Sequence, residues 1–311
     1  MSSSFLISVP DAAVPDGLAA RLTADRAAVD CALDGFCCDF LGGMQSAVAD
    51  AMRYSLRGEG KRLRAVLLIE AYRACGGAAD VSGLAAAIEV VHAYSLVHDD
   101  LPCMDDDDVR RGRPTVHRVF GVPAATAAGL AMVPLAARCA HSAARSLGLA
   151  EPTCGAVVVE LMRAAGGGGM IGGQLLDLEG EGLALSTDEL ERIHRLKTGA
   201  LITAAVRIGG IAAGAGEPHL SALGRYGGGI GLAFQIADDV LDVTATTDQL
   251  GKTAGRDVAL QKSTYPALLG VDGATERAAA LVDEACEALA RLELLTPPLE
   301  HLARYVVTRR S

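Results

Sequence analysis

No C-x-x-C pair and no Cys/His ligand spacing occurs among the eight cysteines (31, 37, 38, 75, 103, 139, 154 and 286), of which only Cys37 and Cys38 are adjacent. Such scatter supports neither a zinc site nor a disulfide scaffold. G-x-x-x-x-G-K-[ST] is missing too, which excludes nucleotide hydrolysis of the P-loop type. Positive charge is in deficit: 28 Lys+Arg against 38 Asp+Glu leave a net charge of −10 and a pI near 5.2. A general nucleic-acid binder would need a basic face, so that class is excluded. Alternating strand-like runs with hairpin turns are missing, and no repeat occurs at the 20–50-residue periods of solenoids. A basic start is also lacking, since the first basic residue is Arg21, after Asp11 and Asp16. Neither a signal peptide nor a transit peptide fits that start, and a reduced, cytoplasmic protein without a stable membrane anchor is expected.

What the sequence does hold is helix-forming composition. Of 311 residues, 50% are hydrophobic, enough for a substantial core. Apolar residues recur at three- and four-residue spacing in 83–97, 188–196 and 275–292, and breakers at 76–77, 121–123, 148–152, 166–169, 214–218, 227–229 and 297–298 leave helix-length segments. Thr187 or Asp188 is expected to cap the helix over 190–196. Residues 119–137 carry no charge, which is long enough for a membrane span. They are mostly Ala and Gly, with Pro123 and Pro134 inside, and this composition predicts a buried helix.

Two acidic clusters carry the functional signal. Asp99, Asp100 and Asp105 to Asp108 put six carboxylates into ten residues, directly after the apolar run 88–97. Alone, such a charge run is as readily a solvated loop. Asp238, Asp239 and Asp242, however, interrupt a stretch, 227–243, that is otherwise almost wholly apolar. Asp238 and Asp242 stand four apart, so their Cβ atoms leave one helix face about 6 Å from each other. Like charges so placed destabilise a helix unless cations lie between or opposite them, and hard divalent ions are the simplest candidates. Basic residues accompany both clusters: Lys61, Arg62 and Arg64 after a Gly58/Gly60 turn, Arg110 and Arg111, Lys197 at the end of a helix, and Lys252, Arg256 and Lys262. Carboxylate pairs with separate cations suit two diphosphates, one bridged through Mg²⁺ and one neutralised directly.

The segments HAYSLVHDDLPCMDDDDVRRGRPTVH (92–117) and GLAFQIADDVLDVTATTDQLGKTAGRDVALQKSTYPALLG (231–270) resemble the first and second aspartate-rich regions of the polyprenyl diphosphate synthases, in particular the short-chain bacterial farnesyl and geranylgeranyl group. GKRLR (60–64), GGMIGGQLLDL (168–178) and RIHRLKTGAL (192–201) are similar to further segments of that family, in the same order. The resemblance runs from about residue 50 to the C-terminus. It implies a single-domain, all-α barrel of long helices around a deep central cavity, working as a homodimer. Residues 1–25 are expected to be a loosely ordered segment. The implied activity is trans-prenyl transfer: an allylic diphosphate (dimethylallyl or geranyl) loses its diphosphate, the cation is attacked by the double bond of isopentenyl diphosphate, and a proton leaves.

Carried onto this sequence, the resemblance assigns Asp99, Asp100, Asp105, Asp238 and Asp242 to Mg²⁺, with three ions expected and Mn²⁺ as a substitute, gripping the allylic diphosphate. Arg110, Lys197 and Lys252 go to the oxygens of that diphosphate. Lys61, Arg64, His92 and Arg111 go to isopentenyl diphosphate. Thr198 and Gln235 line the cation's path, with a helix cap and an interhelical hydrogen bond as plain alternatives, and Gln174 and Asp177 belong to the same interior. Tyr94 and Ser95, five and four positions before Asp99, would limit chain length. An aromatic residue there goes with farnesyl (C15) rather than geranylgeranyl (C20) products, and ordinary core packing is the alternative for Tyr94.

Spacing bears on two of these residues independently. His92 and Asp99 are two helical turns apart, about 10 Å along one face, although a satisfied core histidine is the alternative for His92. Asp105 follows Asp99 by six residues with Pro102 between, so it cannot sit one turn along an ideal helix, and the resemblance, whose short-chain pattern has the same two-residue insertion, implies a local bulge that returns it. Four departures from the family pattern are Glu59 for Gly, Ala65 for Pro, Leu130 for Asp and Arg256 in a loop where small residues are frequent, and none removes a charged group of the expected site. A terpene cyclase would lack the second cluster and GKRLR, while a non-catalytic partner subunit would have degraded aspartate clusters.

Overall fold

The computed structural model describes residues 17–244 and 263–309. The described residues form thirteen α-helices: α1 (Leu18–Leu41), α2 (Ala47–Leu56), α3 (Leu63–Ala74), α4 (Ser82–Asp99), α5 (Val116–Phe120), α6 (Val122–Ser146), α7 (Glu151–Ala165), α8 (Met170–Glu179), α9 (Thr187–His194), α10 (Ala200–Ala212), α11 (Glu217–Thr244), α12 (Tyr265–Ala290) and α13 (Pro297–Thr308). α12 is broken at Gly270, whose φ is +74°. A five-residue π-helical segment, Arg195–Gly199, joins α9 to α10. Two dipeptides, Val109–Arg110 and Arg113–Pro114, pair as a minimal antiparallel hairpin that the sequence pattern does not announce. The fold is all-α, as expected.

Two apolar clusters fill the interior. One gathers Leu84, Ile88, Met132, Leu161 and Leu201 from α4, α6, α7 and α10; the other gathers Leu223, Tyr226, Ile236, Leu281 and Leu302 from α11, α12 and α13. α10 is apolar on nearly every side and supplies residues to both, which is how a fully buried helix reads. α13 is fixed to α11 by the buried Tyr226 hydroxyl, which donates to the Leu299 carbonyl at 2.7 Å.

Four local expectations differ from what is observed. Residues 18–25 are helical, with Leu18 and Leu22 buried, because α1 begins within the segment expected to be loose. The cap of α9 is Ser186, one residue earlier than expected, in a reciprocal capping box with Glu189. Gly227, Gly228 and Gly229 do not break a helix but lie inside α11, where Gly227 meets Thr203 so closely that a Cβ would come within 2.6 Å of its Cα. Lys197 and Thr198 do not end a helix, since the π segment carries them straight into α10. By length and composition α6 could cross a bilayer, yet Ala125, Ala128, Met132 and Ala136 on it are buried within the first cluster.

Candidate active site

A cavity of about 590 Å³ opens between α4, α8, the π segment and α11. Thirteen of the residues expected from sequence line it: Arg64, His92, Tyr94, Ser95, Asp99, Asp105, Arg110, Gln174, Lys197, Thr198, Gln235, Asp238 and Asp242. Met104, Met170, Ile171, Leu175, Leu178 and Phe234 supply an apolar part. Lys61, Asp100 and Arg111 do not line this cavity, and Lys252 lies outside the described residues.

At the end of α4 the chain turns back as the proline requires. The Asp105 N–H donates to the Asp99 carbonyl at 2.8 Å, and Asp106 takes a left-handed φ of +51°, so Asp105 returns beside Asp99. Burial pushes the Asp99 carboxyl up to about 6, against the pull of Lys197. Asp100 is turned by one residue, about 100° on a helix, and is 3% exposed. There it accepts from Arg110 Nε at 2.5 Å, with Asp107 taking a second Arg110 nitrogen at 3.1 Å. Asp100 thus holds Arg110 in place rather than joining Asp99 at the cavity wall.

Two glycine–polar pairs clamp the π segment. A Cβ on Gly173 would come within 2.2 Å of the Lys197 nitrogen, so only glycine lets α8 approach this closely. One turn further along α8, Asp177 holds the Lys197 ammonium at 2.6 Å. On the other side Gly231 meets Gly199, where a Cβ would stand 2.7 Å from Cα. Gln235, again one turn on, accepts from the Thr198 hydroxyl at 2.9 Å. Because Thr198 gives its proton to Gln235, the hydroxyl offers the cavity oxygen lone pairs. π-Bulges are often found at functional sites, and here the bulge puts Lys197 and Thr198 on the same cavity.

The basic flank is built around a buried ion pair. Arg62, at a left-handed φ of +51°, bonds Glu89, Asp30 and the Gly58 carbonyl. Its fixed turn presents Lys61 and Arg64 on either side. Burial, reinforced by Arg309, pulls the Lys61 ammonium down to about 8, while Asp238 opposes the shift. Arg111 donates to the Glu59 carbonyl at 2.7 Å and lies 3.4 Å from His92 Nε2. Burial and the guanidinium groups of Arg64 and Arg111 hold His92 well below its ordinary pKa, so it is neutral.

A family model described as polyprenyl synthetase matches residues 45–292. The farnesyl diphosphate synthase of Escherichia coli (strain K12) is 47% identical over 267 residues, 84% of this chain and 89% of that one. The chloroplastic geranylgeranyl pyrophosphate synthase of Catharanthus roseus is 43% identical, covering 84% of this chain and 74% of its own. The solved FPP/GFPP synthase of Zymomonas mobilis superposes with a TM-score of 0.78 at 32% identity, over 93% of this chain and 99% of that one. The chain belongs to the polyprenyl synthetase family. It is a prenyl-transferring enzyme, and enzymes of this family take isoprenoid diphosphates and generally depend on a metal ion.

The sequence patterns gave Asp239 no role beyond its cluster and did not signal Arg309 at all. Asp239, 3% exposed, takes His194 Nε2 at 3.3 Å, the Tyr265 N–H at 3.1 Å and Gln235 Nε2 at 3.5 Å. It ties α11 to α9, α12 and the Thr198–Gln235 pair. Arg309, just past α13, donates to Asp238 at 2.7 Å and covers the Phe234 ring at 3.9 Å. The partners in these contacts are 45, 26 and 71 residues apart, so no local spacing signals them.

The donor set fits a hard divalent ion. Among the described residues no three His, Cys, Asp or Glu side chains form a ready-made metal cage. Asp99 and Asp105 nevertheless face the same cavity as Asp238 and Asp242. Mg²⁺ is commonly held by one or two carboxylates completed by substrate phosphates and waters, and carboxylates on two walls with room between them suit that mode.

Proposed function

We propose that this prenyltransferase condenses isopentenyl diphosphate with dimethylallyl or geranyl diphosphate and makes mainly farnesyl diphosphate (C15). The observation that carries it is a single cavity lined by carboxylates of both clusters, by Tyr94 and by the apolar side chains Met170, Ile171, Leu175 and Leu178 of α8. Asp99, Asp105, Asp238 and Asp242 would hold Mg²⁺, three ions in all, with Mn²⁺ able to serve. Bound there, the metal supplies positive charge to a departing diphosphate. Arg110 and Lys197, pre-positioned by Asp100 and Asp177, neutralise oxygens of the allylic diphosphate. When its C–O bond breaks, the electron pair leaves with the diphosphate, and the allylic cation faces the oxygen lone pairs of Thr198. The isopentenyl double bond then forms the new C–C bond, and loss of a proton restores a double bond. No protein nucleophile is needed, so electrostatic stabilisation is the protein's main contribution.

Lys61, Arg64, His92 and Arg111 serve isopentenyl diphosphate. Lys61→Ala or Arg111→Ala should therefore raise KM for isopentenyl diphosphate roughly 10–150-fold, the effect of about 1.5–3 kcal/mol for one charge-assisted contact. KM for the allylic substrate should change much less. Lys61 also gives this a pH signature. Its pKa is lowered to about 8, so it loses its charge as pH rises through that value, and kcat/KM for isopentenyl diphosphate should fall above pH 8. Lys61→Arg should flatten that limb. Steady-state kinetics with each substrate varied in turn checks both, and equal effects on the two substrates would contradict the division of labour.

A homodimer in the cytoplasm is the assembly we favour. Leu130 on α6 is 69% exposed and Val159 on α7 is 55% exposed, an apolar surface that a second copy would cover. Light scattering that finds a single chain's mass would exclude it.

A further inference from the structure

We infer that His98, seated by Gly129, is a second determinant of product length, an inference that rests on Tyr94 being the floor of the cavity. Both rings line the cavity one turn apart on α4 and meet edge-on, with centroids 5.0 Å apart and planes at 73°. His98 Nε2 lies 3.1 Å from the Thr126 carbonyl on α6. A carbonyl only accepts, so the ring proton sits on Nε2. Behind the ring stands Gly129. A Cβ built there would come within 2.2 Å of both Cδ2 and Nε2 of His98, a distance that no pair of atoms tolerates. The imidazole therefore fills a space that only glycine leaves.

These contacts fix the ring on three sides: Tyr94 along α4, the Thr126 carbonyl, and the bare backbone of Gly129. The fourth side is the cavity. The depth of the floor is thus set by α6 as well as by α4. A larger residue at 129 drives the imidazole off Thr126 towards the cavity and shortens the space for a tail. Removing the imidazole leaves the Tyr94 ring without its edge contact and lengthens that space.

Product analysis with purified enzyme, Mg²⁺, isopentenyl diphosphate and dimethylallyl diphosphate tests this in His98→Ala, His98→Gln and Gly129→Ala, beside Tyr94→Ala. His98→Ala should raise the ratio of longer to wild-type product by about tenfold or more, within the range one methylene commands in an apolar pocket. His98→Gln keeps a donor for Thr126 but has no ring, and should do the same. Gly129→Ala should shift product towards the next shorter chain. If Gly129→Ala does not fold, the two His98 variants decide alone. Wild-type product ratios in every soluble His98 and Gly129 variant, with a shift in Tyr94→Ala, would overturn the role of His98 and leave Tyr94 as the floor. Unchanged ratios in Tyr94→Ala as well would overturn both.

Discussion

Asp99→Asn and Asp238→Asn should each lower kcat by roughly 10³-fold or more, since losing even one preorganised electrostatic contact commonly costs about 10²–10³-fold. These two carboxylates stand on different helices and face the same cavity, and in the proposed mechanism each holds a cation against the departing diphosphate. Asparagine keeps the size of the side chain and removes only its charge. Asp99 is buried enough for its pKa to rise to about 6 in the absence of a cation. A buried carboxylate that must be ionised to work marks a place where a cation is expected. Asp238 is held instead by Arg309, so its variant also needs a urea titration to separate lost stability from lost turnover. Steady-state kcat at saturating metal and substrates measures the effect. Near wild-type turnover in either variant would contradict the assignment.

Tyr94→Ala should move the main product from C15 to C20 or longer while leaving metal dependence unchanged. Tyr94 lies five residues before Asp99, about 7.5 Å along the axis of α4, and is 8% exposed. Ser95 leaves its side open because its hydroxyl folds back onto the His92 carbonyl at 2.9 Å. On the proposed path the tyrosine ring stands in the way of a growing tail, and alanine removes most of it. Chromatography of dephosphorylated products reads the change directly. A variant that still stops at C15 would show that Tyr94 is ordinary packing.

The carboxylate clusters could be read from sequence because Asp238, Asp239 and Asp242 interrupt an otherwise apolar stretch, whereas the roles of Lys197, Thr198 and Gln235 came only with the family resemblance. Asp238 and Asp242 also share a face by spacing alone. The resemblance groups Asp100 with Asp99, yet Asp100 is buried and does not line the cavity that Asp99 lines. Arg110 takes Asp100 instead. The π segment was hidden because one extra residue in a turn leaves no periodic trace. Its glycines were visible, but their partners, Lys197 for Gly173 and Gly199 for Gly231, are known only once the helices cross. Gly227 to Gly229 looked like a loop for the same reason: glycine breaks a helix in isolation, yet here it lets α11 pack against α10. Arg309 and the His194–Asp239 pair depend on contacts between distant parts of the chain, which no local pattern encodes.

The most direct test is to incubate the purified protein with Mg²⁺, isopentenyl diphosphate and, in separate reactions, dimethylallyl or geranyl diphosphate, and to measure product chain length with and without a chelator. The expected result is farnesyl diphosphate from both allylic substrates, abolished by EDTA and restored by added Mg²⁺. Mainly C20 product would contradict the C15 assignment, and no metal-dependent product from either substrate would contradict prenyl transfer at this cavity.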